Sequence, residues 1–97
     1  MRTLRITTTA SQDLNEISDY FLMQSIEAGD RFVTSFSQKC LLLARYPHIG
    51  KSYGQLKEGL RGLSLMNYII FYRTIGNDVE ILRVVSGYRN FQDIFQE

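Results

Sequence analysis

Residues 59–90 read GLRGLSLMNYIIFYRTIGNDVEILRVVSGYRN, and this stretch decides the fold. Two runs rich in β-branched and aromatic residues, Tyr68–Arg73 and Val79–Val85, are separated by Thr74–Asp78, whose Gly, Asn and Asp favour a turn. Another strand is expected over Leu60–Ser64, with the chain reversing at Leu65–Asn67. The stretch therefore predicts a three-stranded antiparallel meander.

Alternation along the last of these strands places its only cation in an apolar row, because successive side chains point to opposite faces. The first face would hold Val79, Ile81, Arg83 and Val85, and the second Glu80, Leu82 and Val84. The middle strand is apolar on both faces as well, which is typical of a sheet that is covered on both sides. One cover has to come from the rest of the chain, and a partner protein is a candidate for the other.

The composition is that of one ordinary globular domain spanning residues 1–97. The chain is 44% hydrophobic and 22% charged, with one proline and no apolar run that resembles a signal peptide or a membrane span. A formal net charge of +1 lacks the strongly basic footprint of proteins that bind nucleic acid through phosphates, although residues 51–89 carry six basic against three acidic side chains. Cys40 is the single cysteine, which favours a buried thiol, a reducing compartment and the cytoplasm.

The first half of the chain predicts a strand followed by two helices. Arg2–Thr8 alternates as an edge strand does. Thr9 and Gln12 fit a capping box, and Asp13 suits the positive end of a helix dipole, so an amphipathic helix is expected over Ser11–Gln24.

A second helix follows a break marked by Ser25, Gly29 and Asp30, and it ends before Pro47. Its apolar face is formed by Ala28, Phe32, Phe36, Cys40 and Leu43. A loop over His48–Gly59 leads into the meander. The predicted fold is α+β with the order β-α-α-β-β-β, a helical hairpin packed on a four-stranded, mostly antiparallel sheet, and a short tail or helical turn over Asn90–Glu97. The tail carries Phe91, Ile94 and Phe95, which either fold back on the core or belong to an interface.

Two motifs that look chemical do not support a cofactor or a metal. Gly50, Lys51 and Ser52 mimic the end of a phosphate-binding loop, but Arg45 stands where the earlier glycine is needed. His48 is the only histidine, and a zinc site needs several ligands at fixed spacings. No cofactor is expected.

Three arginines of the second half form a candidate contact group with Tyr88, because guanidinium groups can bind phosphates or carboxylates through two hydrogen bonds at once. They are Arg61, Arg83 and Arg89. The alternative is that they form ion pairs with Glu58, Asp78, Glu80 or Asp93. An RNA-cleaving site would need a base, an electrophilic cluster and a general acid, and Glu58, Arg61, Arg83 and Tyr88 are the residues that could serve.

In order and spacing, several motifs resemble the RelE/ParE superfamily of type II toxins, and ParE more than RelE. The early matches are Ala10, Asp13-Leu14, Ile17, Tyr20, Ala28, Phe32, Leu43-Ala44, Pro47 and Gly50. The later ones are Gly59–Arg61, Asn67–Arg73, Glu80-Ile81, Arg83-Val84, Gly87 and Arg89-Asn90. The sequence departs from ParE-like chains at Ser86, where histidine is common, at Asn90, where aspartate is common, and at Leu65–Asn67, which lacks the usual Pro and Gly.

The resemblance implies a non-catalytic toxin that inhibits DNA gyrase by protein contact and is neutralised by a cognate antitoxin, ParD-like or another small DNA-binding protein. It implies target contacts through Arg61, Arg83, Tyr88 and Arg89. It implies antitoxin contacts through Leu14, Ile17, Phe21, Phe91, Ile94 and Phe95. The alternatives are a RelE-like, ribosome-dependent mRNA endoribonuclease using Arg61, Arg83 and Tyr88, and a degenerate toxin that only binds its antitoxin.

Overall fold

A computed structural model of the chain describes residues 3–95. Its elements are β1 (Leu4–Ile6), α1 (Thr8–Gln24), α2 (Ile26–Arg45), β2 (Lys51–Ser52), β3 (Arg61–Leu65), β4 (Tyr68–Ile75), β5 (Asp78–Ser86) and α3 (Phe91–Phe95). The α+β class, the helical hairpin and the meander are confirmed.

The sheet has five strands in the order β1-β5-β4-β3-β2, with β1 parallel to β5 and every other pair antiparallel. The expected count of four was wrong because the loop after α2 contains β2, which pairs Lys51 with Gly62 and Ser52 with Arg61. A two-residue strand is too short to leave any alternation in the sequence. The part of the first strand predicted at Arg2 lies outside the described residues.

Both reversals of the meander are shorter than predicted. Leu65 pairs with Tyr68 and Ile75 pairs with Asp78, so each hairpin turns through two residues only. The predicted linker Thr74–Asp78 was too long because ladder pairing continues to the residues beside the turn.

Helix α1 begins three residues earlier than predicted. Its N-cap is Thr7, whose Oγ1 accepts a hydrogen bond from the Ala10 amide at 3.1 Å, so the capping box at Thr9 was wrong. Three consecutive threonines are equivalent as caps by type. Strand pairing makes Thr7 the N-cap, because its amide still donates to the Ile81 carbonyl of β5, and the helix can begin only after this bond.

The two long helices are separated at Ser25 alone, which caps α2 by accepting a hydrogen bond from the Ala28 amide at 3.0 Å. Gly29, predicted to mark the break, is buried inside α2. A Cβ at Gly29 would lie 2.5 Å from the Leu22 Cδ2 atom, so this glycine allows α1 to pack closely against α2.

The main core lies between the helices and one face of the sheet. Its large buried side chains include Tyr72 and Leu65 from the sheet, and Phe32 and Leu43 from α2. Burial of this apolar surface is the main favourable contribution to folding. The helical hairpin therefore forms the cover that the sequence required for this face.

The opposite face of the sheet has a second core, centred on Phe71. The ring of Phe71 contacts those of Tyr53, Phe91 and Phe95 edge-on, with centroids 4.9–5.1 Å apart. The C-terminal aromatic residues thus fold back on the chain's own sheet. Part of the cover for which a partner protein was a candidate therefore comes from α3 and from the loop before β3.

Candidate functional site

A β-bulge in β5 changes which side chains face the helices. Phe71 pairs with Arg83 and Tyr72 pairs with Ile81, so Leu82 is an extra residue in the ladder. Beyond it Val84 packs in the helix-side core and Val85 in the opposite one. The predicted alternation was wrong here because one added residue reverses the faces of the residues that follow.

Side chains from the N-terminal region satisfy the backbone groups at this bulge. Thr7 Oγ1 donates to the Leu82 carbonyl at 3.0 Å, and the Val84 amide donates to Asp13 Oδ2 at 2.9 Å. Arg83 binds the same carboxylate through Nε (2.8 Å to Oδ2) and Nη2 (3.1 Å to Oδ1). We name this unit, formed by Thr7, Asp13, Arg83 and the backbone of Leu82 and Val84, the Asp13–Arg83 clasp.

The clasp is a partly buried ion pair, with side-chain exposures of 23% for Arg83 and 12% for Asp13. Its hydrogen bond to Asp13 raises the pKa of the Arg83 guanidinium above its ordinary value, against the opposing effect of burial. Asp13 had been assigned to the helix dipole, which was wrong because α1 begins at Thr8 and Asp13 lies beyond its first turn. The acids predicted as partners for Arg83 did not include Asp13, which is 70 residues away in sequence.

Arg61 also binds within the chain. Its Nη1 donates to the carbonyls of Gly50 (2.8 Å) and His48 (3.2 Å), which holds the loop after α2 against β3. The Gly50 amide in turn donates to the buried Tyr72 hydroxyl at 2.9 Å. Arg61 and Arg83 are therefore held by different parts of the fold, one by a loop and the other by α1.

Two of the four acids proposed as partners of Arg61, Arg83 and Arg89 form ion pairs with other arginines. Asp78 pairs with Arg5 at 3.4 Å, and Glu80 pairs with Arg73 at 2.9 Å. Both pairs lie on the surface, where such pairs contribute little to stability.

Tyr88 and Arg89, the other candidate contacts, project from the end of the sheet. The side chain of Tyr88 is 87% exposed, and Arg89 is exposed as well. The segment is fixed by its backbone: the Gly87 amide donates to the Asn67 carbonyl at 2.8 Å, and the Tyr88 amide donates to Ser86 Oγ at 3.2 Å. These bonds tie the chain after β5 to the turn between β3 and β4.

Two shallow grooves meet at this point. The first, of about 300 Å³, is lined by Tyr20, Phe21, Gln24, Met66, Asn67, Tyr68, Ser86 and Tyr88. The second, of about 190 Å³, is lined by Ser64, Met66, Asn67, Tyr68, Ile69, Gly87 and Tyr88. Met66, Asn67, Tyr68 and Tyr88 line both grooves, and we name the surface formed by Met66, Asn67, Gly87 and Tyr88 the Met66–Tyr88 ridge. Burial, and then the neighbouring Tyr20, raise the pKa of Tyr68 at the base of this ridge.

The residues assigned to antitoxin contact lie mostly in the two cores. Ile17 is only 8% exposed, and Leu14 and Phe21 are half-buried on the helix side of the sheet. The three from the tail, Phe91, Ile94 and Phe95, are half-buried on the other side.

A different set of apolar side chains is exposed on the helical hairpin, and sequence reasoning missed it. We name Leu22, Met23, Ile26, Val33 and Leu41 the hairpin apolar surface. Ile26 and Val33 are seven residues apart on α2 and lie off the buried stripe of that helix, a spacing that could have identified them.

The remaining chemical motifs have simple structural roles. Lys51 Nζ lies 5.4 Å from the centroid of the Tyr53 ring, and Ser52 Oγ accepts the Gly54 amide. Burial raises the pKa of the Cys40 thiol to about 11. Over residues 3–95, no three His, Cys, Asp or Glu side chains lie close enough to hold a metal ion. No described helix is both long enough and apolar enough to cross a bilayer.

Comparison with known structures defines the class of this fold. A chain of the chromosomal ParDE TA system from P. aeruginosa superposes with a TM-score of 0.74 and 24% identity, over 89% of this chain and 96% of that one. The helical hairpin on a mixed sheet is thus a fold shared with a component of a toxin–antitoxin system.

Sequence comparison then gives the family. Residues 4–91 match the family described as ParE toxin of type II toxin-antitoxin system, parDE, and this chain belongs to that family. Toxin ParE3 of Caulobacter vibrioides is 38% identical over 48 residues, which are 50% of this chain and 48% of that protein. The chain thus aligns with about half the length of this curated relative. The predicted resemblance to ParE is confirmed.

Proposed function

We propose that this ParE-family chain inhibits DNA gyrase in the cytoplasm by direct protein contact, through one domain, and that a cognate antitoxin neutralises it. The observation that carries this proposal is the different environments of the candidate residues. Arg61 and Arg83 are bound to internal partners, whereas Tyr88 and Arg89 are exposed. This arrangement supports a binding surface more than a catalytic centre, because general acid–base chemistry needs its groups to converge on one reacting atom.

Arg61 and Arg83 therefore act as framework residues in this proposal, and Tyr88 and Arg89 contact the target. Tyrosine and arginine are the residue types that most often dominate binding energy at protein interfaces. Ser86, at the position where ParE-like chains often carry histidine, uses its hydroxyl to accept the Tyr88 amide, which fits a structural role.

A supercoiling assay with the purified chain and purified gyrase tests the proposal. Inhibition should rise with toxin concentration and should require no added ribosomes or RNA. Full supercoiling activity at a large molar excess of folded toxin would contradict it.

A ribosome-dependent endoribonuclease is the second candidate, favoured by the exposure of Tyr88 beside Arg89. Primer extension on translated mRNA after induction distinguishes the two. New cleavage sites that disappear in Tyr88→Phe would favour the nuclease, and intact mRNA with inhibited gyrase would favour the first proposal. Normal growth after induction without antitoxin would indicate a degenerate toxin.

For the antitoxin, we propose the hairpin apolar surface as the main contact, in place of the half-buried residues that the sequence suggested. An amphipathic helix could cover Ile26 and Val33 without disturbing either core, whereas access to Ile17 would require α1 to move away from the sheet. We expect the adjacent open reading frame to encode this antitoxin. Val33→Asp should weaken co-purification with that partner, whereas Gln38→Asp, exposed on the same helix, should not.

A further inference from the structure

The two hairpin turns of the meander have the same length and differ in one residue. The turn between β3 and β4 is Met66-Asn67, and the turn between β4 and β5 is Gly76-Asn77. The first residue of each has a positive φ, +55° at Met66 and +59° at Gly76. Glycine adopts this conformation freely, whereas a side chain at Cβ is strained in it. One turn therefore carries a methionine at a position that glycine would occupy without strain.

Packing within the chain does not account for the methionine. Met66 is 49% exposed and belongs to neither core of the described residues. Residues held in an unfavourable backbone region occur mainly at functional positions, where another constraint maintains them. An observed strain of this kind is thus a reason to look for a function of the side chain.

The location of Met66 indicates that function. Its side chain lines both grooves beside the Met66–Tyr88 ridge, next to Tyr88, the most exposed aromatic residue in the described part of the chain. Neither groove has a charged residue among its described lining residues, and the exposed Arg89 follows Tyr88 directly. An uncharged centre containing Tyr and Met beside an arginine is the usual composition of a protein-binding surface.

We propose that the Met66–Tyr88 ridge is the surface that grips the target protein, with an uncharged segment of that protein, carrying both apolar and polar groups, seated in the two grooves and Arg89 at the rim. This assignment rests on the proposed function and names the contact through which the inhibition occurs. Nucleic acid fits the grooves poorly, because each nucleotide brings a phosphate and no described lining residue is a cation.

Met66→Gly tests the assignment, because a contact residue and a purely structural residue respond differently. The variant should unfold at the same or a higher temperature than the wild type, since the backbone strain is relieved. The toxin concentration that half-inhibits gyrase should nevertheless rise by about tenfold. Met66→Leu, which keeps an apolar side chain, should retain most of the inhibition. Tyr88→Ala provides a second variant whose side chain has little part in folding, and it should weaken inhibition likewise.

The other turn supplies the matched control. Gly76→Met introduces the same residue at a similar positive φ, with no described atom within 4 Å of its Cβ. It should lower the unfolding temperature and leave inhibition of gyrase unchanged.

Three results would overturn the assignment, and they are distinguishable. If the folded wild type has no effect on gyrase, the proposed function and the assignment of the ridge as the target-binding surface are both wrong. If the wild type inhibits gyrase and Met66→Gly and Tyr88→Ala inhibit it equally well, only the assignment of the ridge is wrong. If these variants lose antitoxin binding but still inhibit gyrase, the ridge binds the antitoxin and not the target.

Discussion

The Asp13–Arg83 clasp and the Met66–Tyr88 ridge differ in how their polar and exposed groups are used. In the clasp, Asp13 accepts three hydrogen bonds from β5, and Thr7 donates to the carbonyl of the bulge. In the ridge, a tyrosine projects almost entirely into solvent and a methionine occupies a strained turn. The first region holds the fold together, and the second has features that the fold does not need.

This difference shows why residue type alone could not separate structural from functional candidates. Arg83 and Tyr88 entered the same candidate group from the sequence, yet one is bound to a carboxylate and the other has an exposed side chain. If the comparison is correct, substitutions in the clasp should change stability, and substitutions in the ridge should change binding of the target.

The largest effect on stability is expected for Asp13→Ala. It leaves Arg83 partly buried without its counter-ion and removes the acceptor of the Val84 amide, so the free energy of unfolding should fall by about 2 to 3 kcal/mol. Urea denaturation measures this loss. Asp19→Ala, exposed on the same helix, is the control and should stay within about 0.5 kcal/mol of the wild type. Equal stability of the two variants would show that the clasp does not stabilise the fold.

Cys40 offers an independent readout of the same comparison. Its thiol packs against the helix-side core and has a pKa of about 11, raised by burial from an ordinary 9.0, so its thiolate fraction at pH 8 is about 100-fold below that of a free thiol. Alkylation of the wild type at pH 8 should be slow. Asp13→Ala should accelerate it by making opening of the core easier, and Tyr88→Ala should not. Equal acceleration by both variants would contradict the separation of the two regions.

A smaller loss is expected for Gly50→Ala, in the loop that Arg61 holds. The added Cβ would lie 2.6 Å from the Tyr72 hydroxyl and 2.8 Å from the Gly62 carbonyl oxygen, so the free energy of unfolding should fall by about 1 to 2 kcal/mol. Gly54→Ala is the matched control, because its nearest contact would be an ordinary 3.5 Å from Ser52 Oγ. Thermal unfolding of the two variants gives the difference. A control that loses as much stability would indicate that the loop as a whole, and not the contact at Gly50, is sensitive.

The opposite sign is expected for Met66→Gly, which should stabilise the fold by about 0.5 kcal/mol. Relief of the left-handed conformation outweighs the extra freedom that glycine gives the unfolded chain. Gly76→Met should lose about 1 kcal/mol by the same reasoning. Urea denaturation measures the free energy of unfolding of both variants. If the two substitutions change it in the same direction, the two turns are not equivalent.

The smallest effect on stability is expected for Arg89→Ala. Arg89 is exposed and forms no side-chain ion pair within residues 3–95, so the change should stay within about 0.5 kcal/mol. Inhibition of gyrase should weaken, although less than in Tyr88→Ala, because a rim charge mainly affects the rate of association. Inhibition that is unchanged at both low and high salt would remove Arg89 from the contact surface.

The elements with strong periodic patterns could be predicted from the sequence, and those fixed by distant contacts could not. The meander and both long helices follow from alternation and from the apolar stripe that includes Phe32 and Leu43. The bulge at Leu82 could not be located from the sequence, because β5 carries apolar residues on both of its faces. The partner of Arg83 lies 70 residues away, and no local rule connects the two. The same holds for the site, since exposure of Tyr88 and the strain at Met66 depend on how the turns pack.

The most direct test of this account is hydrogen–deuterium exchange of the toxin with and without gyrase. We expect exchange to slow on binding for the amides of residues 65–68 and 86–89, which form and flank the Met66–Tyr88 ridge. The amides of residues 82–84 in the clasp should be unchanged, because the clasp lies outside the proposed contact with the target. Slower exchange at residues 82–84, with none at the ridge, would contradict the division of the molecule into a stabilising region and a target-binding region.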